Sequence, residues 1–243
     1  MRERAVVVIP TYNEKENILR LLSKILSLNL KQSLSVLVVD DHSPDGTGEV
    51  VSSLAQSEKN ISLLTREGRR GRGKAGIEGF KEALKLNPDY IIEMDADFSH
   101  QPEEIPHLLS EARRNDLVIG SRFVKGGKDI NRNLPRRFIT FAVSQFIRIY
   151  LKIPVRDASS GFRCFRREVL EKIDLDSLKS SGPSIVQEIL YKTHNFGFKI
   201  KEIPITFKNR AGGETKLTFC LLVETLIFNW KLKKLSSSFP PHS

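Results

Sequence analysis

Two short apolar runs flank a helical repeat at the start of the chain. Residues 5–9 are apolar throughout, and residues 34–39 are apolar except for one serine. Continuous apolar runs of this length are typical of strands that are buried on both faces. Between the runs, aliphatic residues recur at helical spacing over residues 18–26. The three segments predict a strand, a helix and a second strand in one βαβ unit.

The same alternation continues to about residue 119. We predict further helices at 48–56, 76–86 and 102–113, and further strands at 61–64, 90–94 and 117–119. Strands that alternate with helices predict a single Rossmann-like α/β domain, with a mostly parallel sheet covered by helices on both faces. Beyond residue 120 the alternation stops. There the pattern predicts an apolar helix at 138–151, a late strand at 200–207 and a last helix at 217–235.

Composition and charge narrow the class of partner. The chain has 243 residues, and 39 lysines and arginines against 29 acidic residues give it a net charge of +10. A basic protein of this kind suits an anionic partner, which is a nucleic acid, a phospholipid surface or a phosphorylated small molecule. Two cysteines in apolar contexts exclude a disulfide scaffold or a zinc module and favour a reducing compartment.

The apolar segments are short. None approaches the roughly 20 residues that span a bilayer, and the chain does not open with the apolar core of a signal peptide. We therefore expect a protein that stays on the cytoplasmic side and has no membrane-spanning helix.

Acidic side chains follow three of the predicted strands. Asp95 and Asp97 follow the strand at 90–94, Asp40 and Asp41 follow the second strand, and Glu14 follows the first. The carboxyl ends of parallel strands meet at one edge of a sheet, so we expect these groups to converge there. Two carboxylates this close repel each other unless a cation joins them, and hard oxygen ligands favour Mg²⁺ or Mn²⁺. The alternative is that they are solvated loop acids.

Basic residues supply the complementary charge. Arg122 follows the strand at 117–119, Arg136 lies in a basic loop, and Arg210 and Lys216 lie near the end of the chain. A guanidinium group can donate two parallel hydrogen bonds to two oxygens of one phosphate, so these arginines favour a phosphorylated ligand. Arg132 and Arg137, taken individually, fit a solvated basic face better.

Two further groups of residues point to chemistry only weakly. The basic cluster at 66–74 could cradle a phosphate, but it lacks the spacing of a Walker loop. His42 and His100 could act as acids or bases, but a structural or surface role is more common for single histidines.

Six motifs, in this order, resemble those of family 2 glycosyltransferases, and in particular the dolichyl-phosphate (polyprenyl-phosphate) mannosyltransferases. They are Pro10-Thr-Tyr-Asn-Glu14, Val38-Val-Asp-Asp-His-Ser-Pro-Asp-Gly-Thr47, Asp95-Ala-Asp-Phe-Ser-His-Gln-Pro102, Gly120-Ser-Arg122, Asp157-Ala-Ser-Ser-Gly-Phe-Arg163 and the segment 210–216. The resemblance runs from about residue 6 to residue 217. It implies a fold of the GT-A type, with residues 1–216 as the glycosyltransferase domain and residues 217–243 as a C-terminal amphipathic helix and short tail.

The resemblance assigns roles to individual residues. It implies that the nucleotide sugar is bound by Pro10, Tyr12, Glu14, Val39, Asp41, Asp95, Ala96, Asp97, Arg122, Arg210 and Lys216. It implies a Mg²⁺ or Mn²⁺ ion on Asp95, Asp97 and Ser99, where Ser99 stands at a position that is glutamine in some relatives. Asp95, Asp97, Arg122 and Arg210 would be catalytic, and Arg136 and Thr140 would bind the acceptor phosphate.

The resemblance also implies an activity, which is transfer of mannose from GDP-mannose to dolichyl or polyprenyl phosphate with inversion. The expected partners are these two substrates, a membrane surface and the small membrane-anchoring subunits that the family sometimes requires, but no nucleic acid. We expect a peripheral protein on the cytoplasmic face of a membrane, held by interfacial helices at 138–151 and 219–230. That membrane would be the endoplasmic reticulum in a eukaryote or the plasma membrane in a prokaryote.

Two alternatives remain open at this stage. One is a glucosyl- or N-acetylhexosaminyl-transferase acting on polyprenyl phosphate, and the other is a basic nucleic-acid-binding protein.

Overall fold

The computed structural model describes residues 2–67, 70–180, 182–209 and 219–235. Within these segments the strands are β1 Arg4–Thr11, β2 Ser33–Asp40, β3 Ile61–Thr65, β4 Tyr90–Glu93, β5 Leu117–Ser121, β6 Lys128–Ile130, β7 Arg163–Arg166, β8 Ile200–Pro204 and β9 Thr206–Lys208. The helices are α1 Lys15–Leu26, α2 Thr47–Ser57, α3 Arg72–Lys85, α4 Ile105–Ala112, α5 Leu134–Leu151, α6 Arg167–Lys172, α7 Ile185–Asn195 and α8 Phe219–Leu235. Short 3₁₀ turns lie at Pro102–Glu104 and Leu175–Ser177.

The main sheet has seven strands in the order β3-β2-β1-β4-β7-β5-β8. β1 pairs in parallel with β2 and β4, β2 pairs in parallel with β3, and β5 pairs in parallel with β8. β7 runs antiparallel to its neighbours β4 and β5. The predicted α/β fold with a mostly parallel sheet is confirmed. We call the side of the sheet where the parallel strands end the carboxyl edge.

Strand β1 explains why the sheet is covered on both faces. Val6 and Val8 face one hydrophobic core, while Val7 and Ile9 face the other, and all four are buried. Successive side chains of a strand point to opposite faces, so an unbroken apolar run needs a helical layer on each side. Helix α1 covers one face with aliphatic side chains such as Ile18, and α3 covers the other.

Helix α3 lies unusually close to the sheet because of one glycine. A Cβ atom on Gly79 would stand 2.6 Å from Val8 Cγ1 and 2.9 Å from Val39 Cγ2. Contacts that short do not occur between real side-chain carbons, so glycine lets the helix backbone rest on these two valines. The helix begins at Arg72 rather than at residue 76, which places the start of α3 at the carboxyl edge.

Four elements were not predicted from the sequence, namely β6, β7, α6 and α7. The predicted strand at 200–207 also divides into β8, which joins the main sheet, and β9, which pairs with β6 in a two-stranded sheet. The division falls at Ile205, whose side chain is buried and whose backbone N–H donates to the Ser121 carbonyl at 3.1 Å. The chain therefore turns from one sheet to the other at a tertiary contact.

Helices α5 and α8 pack against each other and expose apolar side chains. Phe138 is 72% exposed, Ile149 75% and Trp230 49%. Lys233 of α8 donates to the Tyr150 carbonyl at 2.7 Å, which ties the two helices together. Among the described residues, no helix has both the length and the apolar character needed to cross a membrane. The predicted boundary between residues 216 and 217 lies outside the described residues.

Candidate active site

A cavity of about 280 Å³ lies at the carboxyl edge, between the ends of β1, β2 and β4 and the start of α3. This is where open α/β sheets bind their ligands. Residues assigned to nucleotide-sugar binding form much of its wall, namely Pro10, Tyr12, Glu14, Asp41, Asp95 and Ala96. The wall is completed by Thr11, Arg70, Gly71, Arg72 and Ala75.

A second cavity, of about 400 Å³, lies at the opposite edge of the sheet. Its charged groups are mostly paired with one another. Asp89 accepts the backbone N–H of Arg4 at 2.7 Å, and Arg167 pairs with Glu171 at 2.6 Å. Open α/β sheets bind their ligands at the carboxyl edge, and this cavity lies at the other edge. We therefore place the site in the smaller cavity.

Asp41 is held by the segment between β3 and α3. One carboxylate oxygen forms an ion pair with Arg66, and the other accepts the backbone N–H of Gly71 at 3.0 Å. Arg66 also pairs with Glu78 of α3 at 2.9 Å, and these bonds to Glu78 and Asp41 raise the pKa of the guanidinium against the effect of desolvation. The carboxylate at the cavity wall is thus fixed in direction by groups from the neighbouring strand and helix.

Tyr12 is covered by a residue of the basic cluster at 66–74. The guanidinium of Arg70 stacks 4.5 Å above the ring and donates to the phenol oxygen. Residues 70–72 thus form cavity wall, although the sequence pointed to this cluster only weakly. The signal that could have found them is position, because the cluster directly follows a predicted strand and must therefore emerge at the carboxyl edge.

Val39 differs from the other residues assigned to the nucleotide. Its side chain is fully buried in β2 and packs into the core beside Gly79. Its carbonyl oxygen lies 3.4 Å from the hydroxyl of Thr11, which lines the cavity. Contact between Val39 and a nucleotide remains a prediction, and it would have to use the backbone.

The Asp95–Asp97 segment is shaped by hydrogen bonds within its own turn. Asp97 Oδ1 accepts both the backbone N–H of Ser99 at 3.0 Å and its hydroxyl at 2.6 Å. The backbone N–H of Asp95 donates to Nδ1 of His100 at 3.1 Å. Because Nδ1 is an acceptor, the proton of a neutral imidazole resides on Nε2.

His100 has a structural position, as the sequence favoured. It is 2% exposed and stacks on the ring of Phe162, with 5.0 Å between the ring centroids. Burial lowers the pKa of the imidazole, although Asp95 and Asp97 act in the opposite direction. The ring therefore supports the turn that carries the two aspartates.

The donor set fits a divalent cation that is shared with a substrate. The described residues contain no cluster of three or more acidic, histidine or cysteine side chains arranged to hold a metal. They do offer two neighbouring carboxylates, Asp95 and Asp97, and Ser99 is bonded to the second of them. Mg²⁺ is commonly bound by one or two carboxylates together with substrate phosphates. Asp95 and Asp97 suit that arrangement rather than an all-protein cage.

Arg122 is held by an acidic partner. Its Nε and one Nη donate to the two carboxylate oxygens of Asp157 at 2.8 and 2.7 Å, and the same Nη lies 2.7 Å from the Ser159 hydroxyl. Desolvation would raise the pKa of Asp157, but the Arg122 charge and these hydrogen bonds outweigh it and lower the pKa. Arg122 does not line the cavity, and its role in phosphate binding remains a prediction.

The residues assigned to the acceptor phosphate lie in the first turns of α5. The Thr140 hydroxyl donates to the Arg136 carbonyl at 2.9 Å and accepts from Arg132 at 2.9 Å. Arg132 also pairs with Asp129 at 3.0 Å, and its side chain is only 10% exposed. The interpretation of Arg132 as part of a solvated face is therefore wrong, while Arg137 is exposed as expected. Arg132 instead holds Thr140 in place.

Arg210 and Lys216 complete the set of residues assigned from the sequence. Both lie outside the described residues, so their roles remain predictions.

Sequence comparison identifies relatives over most of the chain. An undecaprenyl-phosphate mannosyltransferase of Micrococcus luteus is 40% identical over 224 residues, which cover 92% of this chain and 91% of that protein. A polyprenol monophosphomannose synthase of Mycolicibacterium smegmatis is 37% identical over 218 residues, covering 89% and 82% of the two chains.

The fold is also found in solved structures. A mannosyltransferase from Pyrobaculum calidifontis, solved in complex with GDP-Man and Mn²⁺, superposes with a TM-score of 0.64 over 99% of this chain and 66% of that one. At 19% identity this likeness bears on the fold alone. The profile of the family described as Glycosyl transferase family 2 matches residues 6–174, more than half of the chain. The protein is therefore a member of glycosyl transferase family 2.

Proposed function

We propose that the protein transfers mannose from GDP-mannose to a polyprenyl phosphate, with inversion at the anomeric carbon. The observation that carries the proposal is the cavity at the carboxyl edge, whose wall contains six of the residues that the sequence motifs assign to the nucleotide sugar. The relatives from Micrococcus luteus and Mycolicibacterium smegmatis support the acceptor class by their names. The Pyrobaculum calidifontis structure contains GDP-Man, so the proposed donor is one that this fold can bind.

The nucleophile needs little activation. A phosphate monoester has a second pKa of about 6, so the acceptor oxygen is already ionised at neutral pH. It forms a bond to the anomeric carbon as the bond from that carbon to the diphosphate breaks on the opposite face. The basic nitrogen of His100, Nδ1, is buried and accepts the Asp95 N–H, so the imidazole is not placed to act as the base, in keeping with a reaction that requires none.

The residues of this chain would then act by position and charge. Asp95 and Asp97 would hold a Mg²⁺ or Mn²⁺ ion, and such an ion would supply positive charge to offset that of the departing diphosphate. Pro10, Tyr12 and Asp41 would orient the nucleotide in the cavity. Arg136 and Thr140 would bind the acceptor phosphate in the first turns of α5, where the positive end of the helix dipole favours an anion.

The exposed faces of α5 and α8 suit a lipid acceptor. Apolar side chains on these helices lie beside cations such as Lys234, which stacks 3.7 Å above the Trp230 ring. A helix with this composition can lie in the headgroup region, with its apolar residues inserted and its lysines facing anionic lipid. We place the protein peripherally on the cytoplasmic face of a membrane, where small anchoring subunits could assist it.

A transfer assay tests the proposal directly. The purified protein is incubated with one polyprenyl phosphate and, in separate reactions, with labelled GDP-mannose, UDP-glucose or UDP-N-acetylglucosamine, each with Mn²⁺ and with EDTA. We expect that GDP-mannose is the one donor that labels the lipid fraction, and that it does so with Mn²⁺. With EDTA we expect no labelled lipid from any donor. Transfer from either UDP-sugar in preference to GDP-mannose would favour the glucosyl- or N-acetylhexosaminyl-transferase alternative, and no lipid-linked product from any donor would contradict the proposal.

A further inference from the structure

One guanidinium lies between a core carboxylate and the first aspartate of the Asp95–Asp97 pair. Arg72 Nη2 is 2.6 Å from Asp95 Oδ1 and 3.9 Å from Glu93 Oε1. The Glu93 side chain is 4% exposed, whereas those of Asp95 and Arg72 are 25% and 32% exposed. The Arg72 guanidinium therefore lies near two carboxylates, one in the interior of the sheet and one at the predicted metal site.

The backbone next to Arg72 leaves room for its guanidinium. A Cβ atom on Gly161 would stand 2.4 Å from Arg72 Nη2, so glycine leaves the space that the guanidinium occupies. Arg72 is also the first residue of α3, where the helix dipole disfavours a cation. Helix stability does not explain an arginine here, but its pairing with two carboxylates does.

Glu93 depends on Arg72 for its ion pair. The residue opposite Glu93 on β7 is Arg163, but that guanidinium donates to the carbonyls of Ser160, Val186 and Ala158 at 2.8, 2.6 and 3.3 Å. Among the described residues, Arg72 is the one cation within 4.0 Å of Glu93. A buried carboxylate is costly unless it is paired, so Glu93 retains Arg72 at the cavity wall.

We propose that Arg72 is the resident counter-ion of Asp95, and that it competes with the divalent cation for that carboxylate. This inference rests on the proposed function, since it assumes that Asp95 is a metal ligand. A guanidinium and a divalent cation on the same oxygen repel each other, so metal binding has to shift Arg72 away from Asp95. Glu93 gives the displaced charge a second partner, which keeps the shift small. Arg72 and Glu93 are thus positioning residues that set the affinity of the metal site.

The proposal makes predictions of opposite sign for two isosteric changes. Arg72→Gln removes the competing charge, so Mn²⁺ should bind roughly tenfold more tightly, in line with the effect of one nearby charge on an ionic equilibrium. Glu93→Gln removes the second partner of Arg72, so that Arg72 pairs with Asp95 alone. Mn²⁺ should then bind several-fold more weakly. A residue with only a structural role would not tighten metal binding when it is removed.

The experiment measures Mn²⁺ affinity by the electron paramagnetic resonance signal of free Mn²⁺, with and without GDP. Arg113→Gln is the charge-matched control, because Arg113 pairs with Glu3 at the opposite edge of the sheet and should leave the affinity unchanged. Gly161→Ala is the second route, since its methyl group would overlap Arg72 Nη2, the atom that pairs with Asp95, and would displace it without changing any charge. It should also tighten Mn²⁺ binding, even if Arg72→Gln does not fold.

The outcomes separate the two proposals. If the wild type binds Mn²⁺ and a folded Arg72→Gln or Gly161→Ala variant binds it equally well or more weakly, the inference is overturned. The proposed function is left intact by that result. Absence of Mn²⁺ binding by the wild type in the presence of GDP would overturn both the metal site and the inference that depends on it.

Discussion

Arg122 and Asp157 form an almost fully buried ion pair at the carboxyl end of β5. The side chain of Arg122 is 7% exposed and that of Asp157 is fully buried. The backbone N–H of Arg122 adds a third bond to the same carboxylate, at 3.0 Å. Asp157 in turn donates its own backbone N–H to Glu202 of β8 at 2.9 Å. The guanidinium is therefore held in one direction by a chain of contacts that reaches the adjacent strand β8.

The first prediction concerns the stability that this pair maintains. Arg122→Gln should lower the free energy of unfolding by about 3–5 kcal/mol, because it leaves a buried carboxylate without its partner. Urea unfolding followed by circular dichroism measures the change. Lys24→Gln breaks the exposed pair with Glu103 and should have a much smaller effect. Equal losses in the two variants would contradict the assignment of Arg122–Asp157 as a buried pair.

The second prediction is a pH dependence. The pKa of Asp157 is lowered in the folded protein, against the effect of its burial, so the unfolded chain takes up a proton at a higher pH than the folded chain does. The stabilisation is fully present above the unfolded pKa of about 4 and is lost as the pH falls through the lower folded value. The free energy of unfolding should fall below about pH 4, and less steeply in Asp157→Asn. Urea titrations between pH 3 and pH 6 measure both slopes, and identical slopes would refute the prediction.

The third prediction compares two glycines on helix α3. Gly79→Ala should destabilise the protein by about 1–3 kcal/mol, because the new methyl group would overlap Val8 and Val39. Gly76→Ala places its methyl group 3.9 Å from Glu93 Oε1, an ordinary contact, and should stabilise the helix by about 0.5–1 kcal/mol. Thermal unfolding of both variants measures the difference, and a shift of the same sign in both would contradict the close approach of α3 to the sheet.

The fourth prediction concerns the second aspartate of the pair. Asp97→Ala should reduce transfer by roughly 100-fold or more, because it removes a ligand of the divalent cation that would neutralise charge on the leaving diphosphate. The loss of the hydrogen bonds from Ser99 to this carboxylate should cost about 1.5–3 kcal/mol of stability. Turnover and unfolding are measured on the same preparation, with Ser99→Ala as the matched variant that keeps both carboxylates. Near-normal transfer by Asp97→Ala would remove Asp97 from the metal site.

The fifth prediction concerns the apolar surface of α5 and α8. Replacing Ile149 and Trp230 together by glutamine should reduce co-sedimentation with anionic liposomes and lower transfer to a long-chain acceptor. Transfer to a water-soluble short-chain acceptor should be unaffected, because neither residue lines the cavity or neighbours Arg136 and Thr140 in the chain. Leu19 of α1 is 43% exposed and Leu86, which follows α3, is 44% exposed, so their glutamine variants serve as controls. Equal loss on both acceptors would mean that the surface packs within the protein.

Much of the site could be located from the sequence because it follows from strand ends. Residues 5–9 and 34–39 are apolar enough to specify buried strands, and buried parallel strands deliver whatever follows them to one edge. This pattern predicts that Glu14, Asp41 and Asp95 lie together, and all three line the cavity. The local pattern also determined the helices that cover the first half of the sheet.

Strand β7 could not be predicted, because its residues do not show a strand pattern. Arg163–Arg166 begins and ends with arginine, which in isolation is typical of an exposed loop. The strand nevertheless lies between β4 and β5, and Arg163 is fully buried, since backbone carbonyls from distant segments satisfy its guanidinium. Burial lowers the pKa of that guanidinium to about 10.

The sequence by itself determined which residues stand at the carboxyl edge, because that depends on hydrophobic pattern and chain direction. Only the tertiary structure decided how those residues are paired. The pair Arg72–Asp95 joins helix α3 to the turn after β4, and the pair Arg122–Asp157 joins the end of β5 to the segment before β7. Ion pairs and hydrogen bonds depend on distances of a few ångströms between groups far apart in the chain, and such distances exist only once the sheet and its helices have packed.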